Sequence, residues 1–148
     1  MLNGLKSIVH RIINSKRLSQ ILILVSFLFT FAIARSITHL QRFGTIPNGI
    51  FPFHHLVPGI FLIIFSGYVG LSFWATDRIR HFMAVLFGIG AALTIDEFAL
   101  WLYLKDVYWL EQGRDSIDAI IYTIIILSII FVISEIHDHK WVRRVLRK

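Results

Sequence analysis

The stretch FMAVLFGIGAALTIDEFALWLYL, residues 82–104, decides the fold class of this chain. It is longer than the roughly 20 apolar residues that a helix needs to cross the hydrocarbon core of a membrane. Its only charged residues are Asp96 and Glu97, which are adjacent. The stretch therefore predicts a transmembrane helix, and it raises the question of what two acids do inside it.

The composition of the whole chain is that of a membrane protein. Of its 148 residues, 56% are hydrophobic, and the mean hydropathy is +0.71, so polar residues are too few to cover a soluble domain. The chain has no cysteine, which excludes disulfides, thiol nucleophiles and thiolate metal sites. Its net charge of +6 comes from residues beside apolar segments, which favours membrane lipids as partners and argues against nucleic acid.

We predict an all-α membrane protein, a four-transmembrane-helix bundle in which residues 1–148 form a single domain. The four spans are predicted at about 18–37, 56–74, 82–104 and 117–136. They are flanked by an amphipathic basic arm at 1–17 and by a basic tail at 137–148. The arm has apolar residues at helical spacing and is expected to form a helix in the membrane interface.

The distribution of Lys and Arg predicts the orientation of the bundle. Most of these residues lie in the arm, in the second connection and in the tail, whereas the other side has only Arg35, Arg42, Lys105 and Arg114. The positive-inside rule then places both termini in the cytoplasm. We expect a multi-pass protein of the cell (cytoplasmic) membrane, with its first and third connections facing outward.

Small residues precede both acids of the third span at helical spacing. One row leads to Asp96 at intervals of four residues, and an adjoining row leads to Glu97; these rows consist of Ala84, Gly88, Ala92, Gly90 and Thr94. Small residues let helices approach closely, so both rows are expected to face neighbouring helices. Both carboxylates should then point into the bundle.

Two structural explanations of the acids remain open beside a functional one. Asp96 and Glu97 can pair with Arg35 or Arg114 and simply hold helices together. Alternatively, Thr94 and Glu97 fit the capping-box pattern, in which case the span breaks near Thr94 and a half-helix begins there. Ionisable residues inside membranes usually mark functional sites, and this favours the functional explanation.

Histidines lie on the same predicted side as the acids. His54 and His55 precede the second span, and His39 lies near the end of the first. Imidazole and carboxylate are ligands of zinc, iron and manganese. We therefore predict a divalent metal site formed by His54, His55, Asp96, Glu97 and Asp118. The Glu-x-x-His and His-Glu-x-x-His signatures are absent from the sequence.

The favoured function is an outward-facing His/Asp/Glu site that binds metal, with catalysis by a lipid-directed enzyme left open. Glu97 or Asp96 would act as general base, and Arg114 would clamp an anionic group of a lipid or small-molecule ligand. A second hypothesis is an ion, proton or small-molecule transporter subunit, which with four spans would need to form a homo-oligomer. A third is a non-catalytic assembly or regulatory partner of a larger membrane complex.

The motifs HHLVPG, LTIDEFALWL, DVYW and GRDSIDAI resemble those of a family of small four-span bacterial integral membrane proteins. The resemblance covers the chain from the second span to the start of the fourth. It implies a bacterial cell membrane and the four-span fold. It attaches no activity and adds no catalytic residue.

Overall fold

The computed structural model describes residues 2–42, 54–72, 76–104 and 114–146, which form helices and contain no strand. The helices are α1 (Leu2–Arg42), α2 (Leu56–Ser72), α3 (Asp77–Asp96), α4 (Phe98–Tyr103) and α5 (Arg114–Leu146). The all-helical prediction is confirmed for these residues. The DVYW motif and Lys105 lie outside them.

Three of the helices contain segments long and apolar enough to cross a membrane, at Ile12–Thr38, Asp77–Asp96 and Arg114–His139. The fourth apolar helix, α2, has 17 residues and is about 25 Å long, somewhat short of a typical hydrocarbon core. The arm at 1–17 is not a separate helix, because α1 continues without a break from Leu2.

The predicted third span, 82–104, is not one continuous helix. Helix α3 begins earlier, at Asp77, where the side chain of Thr76 accepts a hydrogen bond from the amide of Ile79. It ends at Asp96, because Glu97 has a non-helical backbone (φ −101°, ψ 24°). The chain then makes the short helix α4, which ends at Tyr103 and is followed by Leu104 in the left-handed conformation (φ 50°).

Helix α3 is the centre of the bundle and packs against both α1 and α2. Phe27, Ala92 and Ile120 form the buried core between α1, α3 and α5. Most large apolar side chains on the outer faces are exposed, as expected of helices that meet lipid. The bundle thus has one well-packed helix, α3. Each of its two ends makes polar contacts with a neighbouring helix.

We call the end of the bundle that contains Arg35, His55 and Asp96 the site end. The opposite end, which contains Lys16, Asp77 and Glu135, is called the basic end. At the basic end Ser15 of α1 donates a hydrogen bond to Asp77 of α3 (2.7 Å) and lies 3.4 Å from the His81 ring. Polar contacts therefore join α1 to α3 at both ends of α3.

Candidate functional site

The two predicted rows of small residues bring the helices together as expected. A Cβ atom added at Gly90 would lie 2.7 Å from the carbonyl oxygen of Gly59, so α3 and α2 meet backbone to backbone. A Cβ atom at Gly88 would lie 2.5 Å from the carbonyl oxygen of Ile23, on the α1 side. These close approaches place the end of α1 and the start of α2 within side-chain reach of Asp96 and Glu97.

Asp96 is completely buried at the end of α3 and contacts α1. Its Oδ1 atom lies 2.6 Å from Nε of Arg35, and the Arg35 guanidinium also donates to the Asp96 carbonyl oxygen at 3.5 Å. The same guanidinium lies 5.6 Å from the centre of the Phe31 ring, within cation–π range. Of the two arginines predicted as partners of the acids, Arg35 is the one that forms the pair.

Glu97 contacts the beginning of α2. Its Oε2 atom accepts a hydrogen bond from the backbone N–H of Leu56 at 2.8 Å. A carboxylate at this position satisfies one of the free amides of α2 and interacts favourably with the helix dipole. Glu97 therefore caps a neighbouring helix, and this explains in part why a charged side chain is retained next to Asp96.

The capping-box hypothesis is only half right. The helix does break, but at Glu97, and the Glu97 side chain makes no capping hydrogen bond to α4. Thr94 donates to the carbonyl oxygen of Gly90 within α3 and does not act as an N-cap. The first turn of α4 is held instead by α5, since the N–H of Ala99 donates to the hydroxyl of Ser116 at 3.0 Å.

The two adjacent histidines connect the acids to each other. The Nε2 atom of His55 lies 3.0 Å from Oδ2 of Asp96, and its Nδ1 atom lies 3.7 Å from Oε1 of Glu97. The Nδ1 atom of His54 lies 3.2 Å from the same Glu97 oxygen. The result is a continuous series of ionisable side chains, which we call the site cluster: His54, Glu97, His55, Asp96 and Arg35.

The two histidines of the site cluster are more exposed than the acid that His55 contacts. The His54 side chain is 37% exposed, that of His55 is 21% exposed, and that of Asp96 is fully buried. Burial and the positive charge of Arg35 lower the pKa of His55, but the hydrogen bond to Asp96 and the negative charges of Glu97 and Asp96 raise it, and the net direction is upward. His55 thus favours its protonated form more than a free histidine does.

Other predicted site residues are not part of the site cluster. Arg114 and Asp118 are exposed on the first turns of α5, and neither contacts Asp96 or Glu97 among the described contacts. Asp115 accepts a hydrogen bond from the hydroxyl of Tyr103 at 2.6 Å. The His39 side chain lies outside the described part of the structure.

The described residues contain no group of three His, Asp or Glu side chains arranged to hold a metal ion. Asp96 already contacts a guanidinium and an imidazole, and Glu97 contacts an amide and an imidazole. Metal binding at His54, His55, Asp96, Glu97 and Asp118 therefore stays a prediction from the sequence.

The comparisons with known proteins supply no relative. No family model, no curated protein and no solved structure matches the chain. A function for this chain therefore rests on the geometry of the site cluster.

Proposed function

We propose that this chain is a small membrane protein that binds and releases a proton at the site cluster, and that this proton controls how α2 packs on α3. The observation that carries the proposal is the position of the His55 ring between two carboxylates. A neutral imidazole has one N–H donor, whereas the imidazolium ion has two. The Nε2 atom is within hydrogen-bond distance of Asp96, whereas the Nδ1 atom, 3.7 Å from Glu97, is within ion-pair distance only, so the two carboxylates favour the positive charge of the imidazolium.

The order of exposure supports exchange of this proton with water. His54 is the most exposed member of the site cluster and contacts Glu97, which in turn lies close to His55. The Glu97 carboxylate thus lies between the exposed His54 ring and the more buried His55 ring. Histidine suits this role because its ordinary pKa, about 6.5, lies within the physiological range.

The charges of the five side chains support storage of one proton. The Arg35 guanidinium offsets one carboxylate, and a proton on either imidazole offsets the other. Buried charges are costly unless they are paired, so the protonated cluster is the better folded form. Loss of the proton weakens the contacts through which His55 and Glu97 hold the start of α2.

Geometry favours a proton-responsive regulator over a proton pathway through one chain. Between His81 and Asp96, α3 has no ionisable side chain, and this gap corresponds to roughly 22 Å along the helix. A relay cannot cross that distance on α3 alone. We propose that a change in helix packing is the output, recognised by a second copy or by a partner in the membrane.

The distribution of Lys and Arg gives the proposed orientation. With the basic end in the cytoplasm, the site cluster faces the outer side of the cell membrane. The protein would then respond to the pH outside the cell. This orientation also leaves both termini inside, as the sequence predicts.

Distance measurements between spin labels test the proposal. The chain has no cysteine, so a pair introduced at Val57 of α2 and Leu102 of α4, both exposed, is labelled selectively. We expect one narrow distance distribution at pH 6 and a broader one at pH 9, with no pH effect in a His55→Asn background. A matched pair at Leu18 and Ile136, far from the site cluster, should not change. Identical distributions at both pH values for the first pair would refute the proposal.

A further inference from the structure

An apolar cavity of about 300 Å³ lies between α1 and α5, far from the site cluster. It is lined by Gln20, Ile23, Leu24, Leu127, Ile130 and Phe131. Ile21, Val25 and Ile130 on its margin are exposed, so the cavity opens sideways toward the lipid. A flexible hydrocarbon chain can enter such an opening directly from the bilayer.

One polar atom in the cavity wall lacks a hydrogen-bond partner among the residues that the structure describes. The Oε1 atom of Gln20 is buried and accepts no hydrogen bond from the described residues. A buried carboxamide oxygen without a hydrogen-bond partner costs free energy. A hydroxyl group of a bound molecule would donate to this oxygen, and with the amide flipped an ester oxygen would accept from its NH2 group. This atom favours a ligand that is apolar along most of its length and polar at one end.

Positive charge lies at the same end of the cavity as Gln20. Lys16 and Arg17 precede Gln20 and Ile21 by four residues, so they lie one turn away on the same side of α1. They form ion pairs with α5, Lys16 with Asp138 at 3.0 Å and Arg17 with Glu135 at 3.5 Å. The two cations are about half exposed, at 47% and 54%, whereas their acidic partners are largely buried.

We infer that this cavity binds one anionic phospholipid. An acyl chain fills the space between α1 and α5, the ester region meets Gln20, and the phosphate meets the exposed sides of Lys16 and Arg17. The inference is independent of the proton-binding function and concerns a different surface.

Native mass spectrometry of the full chain in mild detergent tests the inference. The probes are phosphatidylglycerol and, as the uncharged-headgroup comparison, phosphatidylcholine. We expect one retained phosphatidylglycerol per chain and clearly less phosphatidylcholine. Lys16→Gln should weaken retention by about fivefold, as expected for one cation near an anionic headgroup, and Lys16→Arg should restore it. Equal retention of the two lipids would overturn the inference.

A variant that fills the cavity provides the second test. Leu127→Trp should remove the retained lipid, whereas Ile133→Trp, on an exposed face of the same helix, should not. The mass distinguishes a bound lipid from a second copy of the chain. Unchanged lipid retention in Leu127→Trp, or a dimer in place of a lipid complex, would contradict the inference.

Discussion

The Nε2 atom of His55 lies 3.0 Å from Oδ2 of Asp96, although 41 positions separate the two residues in the chain. This contact joins the start of α2 to the end of α3. Because Asp96 also contacts Arg35, the same carboxylate holds α1. One buried acid thus connects three helices, and its removal should have a larger effect than that of any exposed acid.

Asp96→Asn should destabilise the protein strongly. The substitution keeps the shape of the side chain but leaves the Arg35 guanidinium, which is only 15% exposed, without its carboxylate. Breaking a buried ion pair by removing one partner costs about 3–5 kcal/mol. Thermal unfolding in detergent, followed by circular dichroism, measures the loss. Asp118→Asn on the exposed face of α5 is the control and should change stability by no more than about 0.5 kcal/mol. Equal effects of the two substitutions would contradict this account of Asp96.

Stability should fall as the pH rises, and His55 should be responsible. The folded-state pKa of His55 is raised above its ordinary value of about 6.5, so its contribution is complete below 6.5. That contribution is lost as the pH rises through the raised pKa. Melting temperatures measured from pH 5.5 to 9 should decline in the wild type. The decline should be smaller in His55→Asn and unchanged in His137→Asn, whose side chain is exposed on α5. A wild-type curve parallel to that of His55→Asn would exclude this role.

Gly90→Ala should separate α3 from α2. The new Cβ atom would lie 2.7 Å from the Gly59 carbonyl oxygen and 2.9 Å from the amide nitrogen of Ile63, and these backbone atoms cannot move independently. Overpacking of this kind costs about 1–3 kcal/mol. Gly67→Ala is the matched control, because a Cβ atom there has no neighbour within 4 Å. It should be neutral or slightly stabilising, since alanine favours the helix by up to about 1 kcal/mol. The melting temperature of Gly90→Ala should therefore lie clearly below that of Gly67→Ala. Similar melting temperatures would show that the close approach of α3 to α2 at Gly90 is unimportant for stability.

Elemental analysis distinguishes a proton site from a metal site. If the site cluster stores a proton, purified protein should contain well under one zinc, iron or manganese ion per chain. Near-stoichiometric metal that falls in both His54→Ala and Glu97→Gln would instead support the metal site predicted from the sequence. The analysis is made on protein purified in mild detergent without added chelator.

The all-helical fold and the inward orientation of the Asp96 and Glu97 side chains were predictable. Both depend on the spacing of apolar and small residues along the chain. Small residues at intervals of four preceded Asp96, and the row indeed faces α1 at Gly88. Apolar length identified α1, α3 and α5 as candidate spans. These features depend on neighbouring residues in the chain and need no knowledge of distant contacts.

The break at Glu97 and the composition of the site could not be predicted in the same way. The run from Phe82 to Leu104 is apolar apart from Asp96 and Glu97, and the capping-box pattern within it predicts a break near Thr94, whereas α3 continues to Asp96. The break becomes favourable because the Glu97 carboxylate binds the amide of Leu56, 41 positions away. Likewise, Asp96 pairs with Arg35 and not with Arg114 because the end of α1 reaches Asp96, and this depends on how the helices pack. The sequence signal for Arg35 was its position near the end of the first span, on the side of the acids.

The most direct test of the central claim is ¹⁵N NMR of the His55 imidazole across a pH titration, assigned by its loss in His55→Asn. The account predicts that both ring nitrogens carry protons below pH 6.5, and that the midpoint of the titration lies above the ordinary pKa of about 6.5. It also predicts that one of these protons is lost at higher pH, together with the narrow α2–α4 distance. A neutral ring with one protonated nitrogen already at pH 6 would contradict the claim that His55 stores the proton between Asp96 and Glu97.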